Sequence, residues 1–254
     1  MLGAIIGDIV GSRFEFNNHR STEFELFHKD CSFTDDTICT VAIAEALLCN
    51  YSFEEALIKW CSKYPNPMGG YGMGFRNWVF GRVRGPYYSY GNGSAMRVSP
   101  VGWLCSANLL QKARQSAEVT HSHPEGIKGA ECIAYAIWHL KLGFNKEWVR
   151  DMAKTNYGYN LNLTCDQIRQ LNTFNETCQV TVPQAIRCFL ESTDFESAIR
   201  LAVSIGGDSD TIAAITGSLA EAHYGVPEWM KEKAMEYLPK QMKEVINQFN
   251  NTIK

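Results

Sequence analysis

A chain of 254 residues with 45% hydrophobic and 20% charged content has the makeup of an ordinary globular protein that can bury a sizeable core. Its net charge of −3 excludes nucleic-acid or membrane binding through the overall field, though not a local patch. No stretch reaches the roughly 18–20 uncharged apolar residues of a membrane span, and the first residues lack the basic region of a signal peptide. The nine cysteines are scattered, without a Cys-x-x-Cys pair. Buried free thiols in a reducing cytoplasm are therefore expected, and a zinc site is not.

Gly3, Gly7 and Gly11 recur every fourth residue, so on a helix they form one smooth stripe for close packing. Asp8, Ser12 and Glu15 fall near one face of that helix. The glycines do not spell the Gly-x-Gly-x-x-Gly of a dinucleotide fold, and an aspartate buried between Gly7 and Ile9 needs a partner. A loop is expected over residues 17–32. Phe33-Thr34-Asp35-Asp36-Thr37 then opens an apolar helix that runs to Cys49. One capping oxygen is enough for a helix start, and adjacent carboxylates repel unless a cation or the helix dipole compensates them. Ser52 and Glu55 form a capping box for a helix through Lys63.

Residues 64–94 read as a long irregular stretch rich in glycine and aromatics. Between Ala56 and Ala117 there is no Asp or Glu, whereas Arg76, Arg82, Arg84 and Arg97 all fall there. Glycine amides cradle phosphate, arginine pairs with it and an aromatic ring stacks on a base. A nucleotide-like ligand fits this stretch, as does a structural loop. Helical patterns follow at 95–110 (broken at Pro100), 109–120, 127–142, 145–156, 165–171, 183–191 and 194–204, the last with Thr193 and Glu196 as its capping box. His121 and His123, just before the 127–142 helix, are open to reading as ligands, a base or loop residues. Only Gln179–Val182 alternates like a strand, and residues 227–250 read as two amphipathic helices. One compact, multi-helix, all-α domain over residues 1–254 is the expectation.

Within Ser204–Gly225, paired glycines Gly206-Gly207 lead through Asp208 and Asp210 into an apolar helix that stops at Gly225. Asp210 or Ser209 can cap it, and Gly206-Gly207 lets the backbone approach something bound. Two helix starts with the same surplus of acids favour ligation of a hard divalent cation by oxygen. So many carboxylates can hold two ions about 4 Å apart. The residues alone leave two chemistries open: phosphoester hydrolysis and cleavage of a glycosidic bond in a nucleotide sugar.

Five segments taken together resemble the ADP-ribosylglycohydrolase family, and they occur in that family's order. They are Gly7-Asp8-x-x-Gly11-Ser12-x-x-Glu15, Phe33–Thr37, Gly91–Arg97, Thr120–Pro124 and Gly206–Thr211. The resemblance implies an all-helical fold with a binuclear magnesium or manganese centre (two Mg2+ or Mn2+). It places Thr34, Asp35, Asp36, Asp208, Asp210 and Thr211 as metal ligands, with Glu15 close by. Glu15 or Asp36 becomes the candidate general acid/base. The resemblance also implies that Gly91, Asn92, Gly93, Ser94, Met96 and Arg97, with Tyr90 and His121, line an ADP-ribose cleft. The expected reaction is hydrolysis of the α-glycosidic bond between ADP-ribose and an acceptor, which the sequence leaves open among protein, nucleic acid and small molecule. Some family members carry an additional acid in the central loop, which this chain lacks. The rival readings are a non-catalytic ADP-ribose-binding or toxin-neutralising module and a metal-dependent nucleotide-diphosphate phosphohydrolase.

Overall fold

The glycine stripe of the first helix meets another helix at contact distance, and the rest of the fold is arranged around that pair. In the computed structural model, which describes residues 1–82 and 84–253, α1 (Leu2–Gly11) is buried at every position. A methyl group at Gly3 would stand 2.2 Å from the Gly217 carbonyl oxygen, one at Gly7 2.0 Å from that of Ala213, and one at Gly11 2.5 Å from the Cα of Asp210. As one number rises the other falls, so α1 runs antiparallel to the helix Ser209–Tyr224 with their backbones touching. Val83 of the expected irregular stretch and Lys254 of the expected domain lie outside the described residues.

The remaining helices follow in chain order. They are α2 (Asp35–Cys49), α3 (Phe53–Lys63), α4 (Met73–Phe80), α5 (Gly93–Met96), α6 (Ser99–Leu104), α7 (Leu109–Glu118) and α8 (Pro124–Lys141). Then come α9 (Lys146–Thr155), α10 (Cys165–Leu171), α11 (Cys178–Glu191), α12 (Phe195–Ser204), α13 (Ser209–Tyr224), α14 (Glu228–Glu236) and α15 (Lys240–Thr252). Among the described residues there is no strand, only isolated bridges of Thr34 with Met68 and of Gly91 with Thr177. One core runs from Met1 to Phe249, and no described helix is long and apolar enough to cross a membrane.

Three expectations about local structure are corrected. The 64–94 stretch contains α4, whose Phe75, Trp78 and Val79 are buried at helical spacing. Gln179–Val182 belongs to α11, which continues through Pro183 rather than starting there. The box on α12 is one residue later than expected: Asp194 accepts from Ser197 N at 2.7 Å, while Glu196 pairs with Arg200. The Ser52–Glu55 box stands as expected.

Candidate metal centre and substrate cleft

The antiparallel α1–α13 pair sets the geometry of the site. It brings the C-terminal end of α1, followed by Glu15, beside the start of α13, where Asp208 and Asp210 stand. One carboxylate oxygen from each of Glu15, Asp208 and Asp210 lies within 4.8 Å of the others. Asp8, on the same helix α1, reaches the start of α2. It accepts hydrogen bonds from Thr34 N (3.0 Å), Thr34 Oγ1 (2.7 Å) and Thr37 N (3.0 Å), and a further short one from Thr37 Oγ1. Thr34 itself caps the helix by accepting from Asp36 N at 3.2 Å. Capping of α2 is thus done by Thr34 and Asp8, which leaves Asp35 and Asp36 free.

Neither acid at the other start is spent on capping. Asp208 occupies the N-cap position of α13 with no side-chain cap bond, and Asp210 Oδ1 accepts only its neighbour's amide, Thr211 N, at 3.0 Å. Instead, Asn92 Nδ2 donates to Asp208 Oδ2 at 2.6 Å and to Thr181 Oγ1 at 3.0 Å. Thr211 Oγ1 donates to Asp36 Oδ1 at 3.2 Å and so ties the two starts together. Asp36 Oδ2 is buried with no hydrogen-bond partner. Gly206 and Gly207 are left-handed (φ +68° and +81°), and side chains of this chain approach them. Arg20 and Asn172 pack against the pair, and Asn18 both donates to Gly207 O and accepts from Gly207 N at 2.8 Å.

Among the described residues, none of these acids forms an ion pair. Burial first, and then the neighbouring carboxylates, push Asp36 and Asp210 well above the usual carboxylate range. Burial likewise pushes Asp35 well up. Glu15 rises to about 8, through burial and then the charges of Asp208, Asp8 and Glu176. Oxygen donors that repel one another, with one buried oxygen unpartnered, are a donor set that suits a hard divalent cation.

These acids form the floor of a cavity of about 530 Å³. A second group of lining residues is basic and aromatic. Arg97 is fully buried and donates to Ser116 O (2.8 Å) and Thr120 Oγ1 (2.9 Å), and among the described residues its Nε has no partner and no acid pairs with it. Phe75 and Tyr87 stand close to it. His121 is bonded through Nδ1 to Thr120 Oγ1 at 2.7 Å, and burial followed by the Arg97 charge lowers its pKa well below normal, so the ring is neutral. A methyl group at Gly93 would stand 3.1 Å from His121 Nε2, which explains a glycine there.

Of the expected site residues, Glu15, Asp35, Asp36, Asp208, Asp210 and Thr211 line the cavity, as do Gly91, Asn92, Gly93, Met96, Arg97 and His121. Three do not. Thr34 is fully buried behind the floor, its hydroxyl engaged by Asp8 and Asp36. Ser94 donates inward to Gly126 O at 2.7 Å. Tyr90 turns its ring toward His123, which itself accepts from Glu125 N and caps α8. Asn92 reaches the cavity wall, but its amide is directed at Asp208 rather than held free for substrate. The motifs missed Phe16, Phe75, Tyr87, Phe174 and Glu176, all of which line the cavity. Phe75 and Tyr87 were signalled by the acid-free aromatic stretch. Phe16, Phe174 and Glu176 had no local signal.

An all-helical fold with carboxylates free of ion pairs at two helix starts, facing a neutral histidine and a buried arginine, is a cleft whose chemistry suits a divalent cation and an anionic ligand. The model of the ADP-ribosylglycohydrolase family matches residues 1–253, and the chain belongs to that family. It is 27% identical to mouse ADP-ribosylhydrolase ARH3 over 99% of this chain and 87% of that one. It is 30% identical to the ADP-ribosylarginine hydrolase Tri1 of Pseudomonas putida (strain GB-1), over 92% of this chain and 73% of the relative. A solved structure titled an ADP-ribosylglycohydrolase-related protein complex superposes with a TM-score of 0.71 at 22% identity, covering 100% of this chain and 97% of that one.

Proposed function

We propose that this single-domain protein hydrolyses the glycosidic bond that joins ADP-ribose to an acceptor, with divalent cations held by the acidic floor. The observation that carries this reading is the meeting, in one cavity, of the unpaired carboxylates of two helix starts with the unpaired guanidinium of Arg97. The family assignment and the named hydrolase activities of its relatives support it.

Asp35, Asp36, Asp208, Asp210 and Thr211 are the proposed ligands, with Glu15 adjoining them and Thr34 adding the one lone pair that its two hydrogen bonds leave. Magnesium or manganese, two ions in this proposal, would polarise sugar hydroxyls and acidify water. The chain supplies the remainder. Arg97 and His121, with the Gly91–Gly93 backbone, hold the phosphates, and Tyr87 and Phe75 offer ring faces to the base. Carboxylates at the floor stabilise the positive charge that develops at the anomeric carbon as the bond to the acceptor breaks. Glu15, the floor acid at the edge of the cluster, holds a proton up to about pH 8 in the absence of cations. That makes it our first candidate to exchange a proton with water or with the leaving atom, and Asp36 the second. All nine cysteines are free, which supports cytoplasmic residence.

The test is an assay of ADP-ribosylated substrates with and without chelator. We expect ADP-ribose as product, loss of activity on chelation and recovery with Mg2+ or Mn2+. Phosphate or AMP released from ADP-ribose would turn the reading toward a phosphohydrolase. Cation-dependent ADP-ribose binding without turnover would make the protein a binding module.

A further inference from the structure

The cavity has a third group of lining residues that neither the cation floor nor the phosphate-and-base wall uses. Phe16, next to Glu15, and Phe174, from the loop before α11, bring their rings together with centroids 5.6 Å apart and planes inclined by 32°. Both rings line the cavity yet remain 72% and 43% exposed. Two large apolar rings held against each other in water from distant parts of the chain need a reason. Glu176 stands with them. Its backbone is pinned, since Glu176 O accepts from Asn92 N at 2.7 Å and the adjoining Thr177 bridges Gly91. Glu176 lines the cavity, its carboxylate has no cationic partner among the described residues, and burial and then the charge of Asp208 raise its pKa. Glu15 feels the charge of Glu176, and Glu176 that of Asp208, so this group adjoins the floor where the anomeric carbon would lie.

We propose that Phe16, Phe174 and Glu176 form the acceptor subsite and that it receives a guanidinium, so that the substrate class is arginine-linked rather than serine-linked ADP-ribose. The proposal rests on reading the cleft as an ADP-ribosylglycohydrolase site. A planar cation stacks on aromatic faces and pairs with a carboxylate through its fork of N–H donors. A serine oxygen is neutral and small, and gains from neither. In the reaction, water's oxygen bonds to the anomeric carbon as the carbon–nitrogen bond breaks, and water's proton passes to the guanidino nitrogen. The products are ADP-ribose and arginine.

The experiment compares kcat/KM on two peptides, one ADP-ribosylated on arginine and one on serine, in wild type, Glu176→Gln and Phe174→Leu. Both substitutions keep the backbone bonds of the loop, and thermal unfolding checks the fold. Wild type is expected to prefer the arginine-linked peptide at least tenfold, and each variant to reduce that ratio about tenfold, mainly through KM. Agmatine, a guanidinium without ADP-ribose, should inhibit wild type more strongly than Glu176→Gln. A serine preference in wild type, or variants that reduce both substrates in equal proportion, would overturn the subsite. Release of ADP-ribose from ADP-ribosylated nucleic acid but from neither peptide would also overturn the subsite, whereas release from none of these substrates would instead overturn the parent reading.

Discussion

The starts of α2 and α13 carry nearly the same residues and are built in opposite ways. At α2 the helix amides are satisfied by Thr34 and by Asp8 from another helix. At α13 the N-cap aspartate makes no cap bond, and its carboxylate is held from the side by Asn92. A helix start can therefore present acids to a cleft by two routes. It can import a carboxylate for capping, or it can forgo side-chain capping and brace the cleft-lining acid with an amide. Asp8 is a structural anion and Asp208, on the proposed reading, a functional one, although the sequence writes both as an aspartate next to glycine.

Removing each anion should separate the two roles most sharply. Asp8→Ala leaves two amides and two hydroxyls buried without their acceptor, and we expect a loss of roughly 3–5 kcal/mol. Asp208→Asn should leave the chelated protein as stable as wild type or slightly more so, because it removes a charge that its neighbours repel. Activity should nonetheless fall by more than the roughly 10–100-fold that loss of a supporting partner costs a metal site. Thermal unfolding beside the hydrolysis assay decides the matter. Equal destabilisation by both variants would erase the distinction.

Both starts lean on α1, so a change there should disturb them together. Gly7→Ala would place a methyl group 2.0 Å from the Ala213 carbonyl oxygen, a backbone atom that cannot turn aside. Overpacking of this kind costs about 1–3 kcal/mol, and more where backbone must move. The separation of α1 from α13 should weaken Mn2+ binding as well as lower the unfolding temperature. Unchanged Mn2+ affinity in a destabilised Gly7→Ala would show that the pair supports the fold without setting the floor. Asn92→Ala probes one start alone. It frees Asp208 from its brace, and a 10–100-fold loss of Mn2+ affinity is expected with only a small change in stability.

How much of this was legible follows the range of the interactions. The stripe of Gly3, Gly7 and Gly11 and the Ser52–Glu55 box lie within one helix or along one face, and spacing alone reveals them. The α12 box slipped by one residue because Thr193 and Asp194 are both competent caps, and Glu196 is drawn to Arg200. The bond from Asn92 to Asp208 has no local signal, since nothing near Asn92 in the chain hints at Asp208. Phe16 and Phe174 meet only in the fold. Motifs mark the floor because its acids cluster at two helix starts within a few residues of chain, whereas the rim residues are brought together only by the fold.

The smallest expected effect is also the one whose sign distinguishes a cation floor from ordinary buried acids. Folding raises Glu15 from the ordinary 4.5 to about 8 and Asp8 from 3.8 to about 6. An acid whose folded pKa lies above its unfolded value binds more protons when folded, so stability falls as pH rises between the two values. For Glu15 the contribution is complete below about 4.5 and lost by about 8. For Asp8 the window is 3.8 to about 6. The chelated protein should therefore unfold at progressively lower temperature from pH 5 to pH 8. A bound cation favours the ionised carboxylates, competes with their protons and reverses that slope, so the stabilisation by Mn2+ should grow over the same interval. Asp208→Asn should flatten the cation-dependent part and keep the part due to Asp8, because only the α13 start loses a charge. A chelated wild type whose unfolding temperature rises from pH 5 to pH 8 would mean that the floor acids are already neutralised by the protein itself.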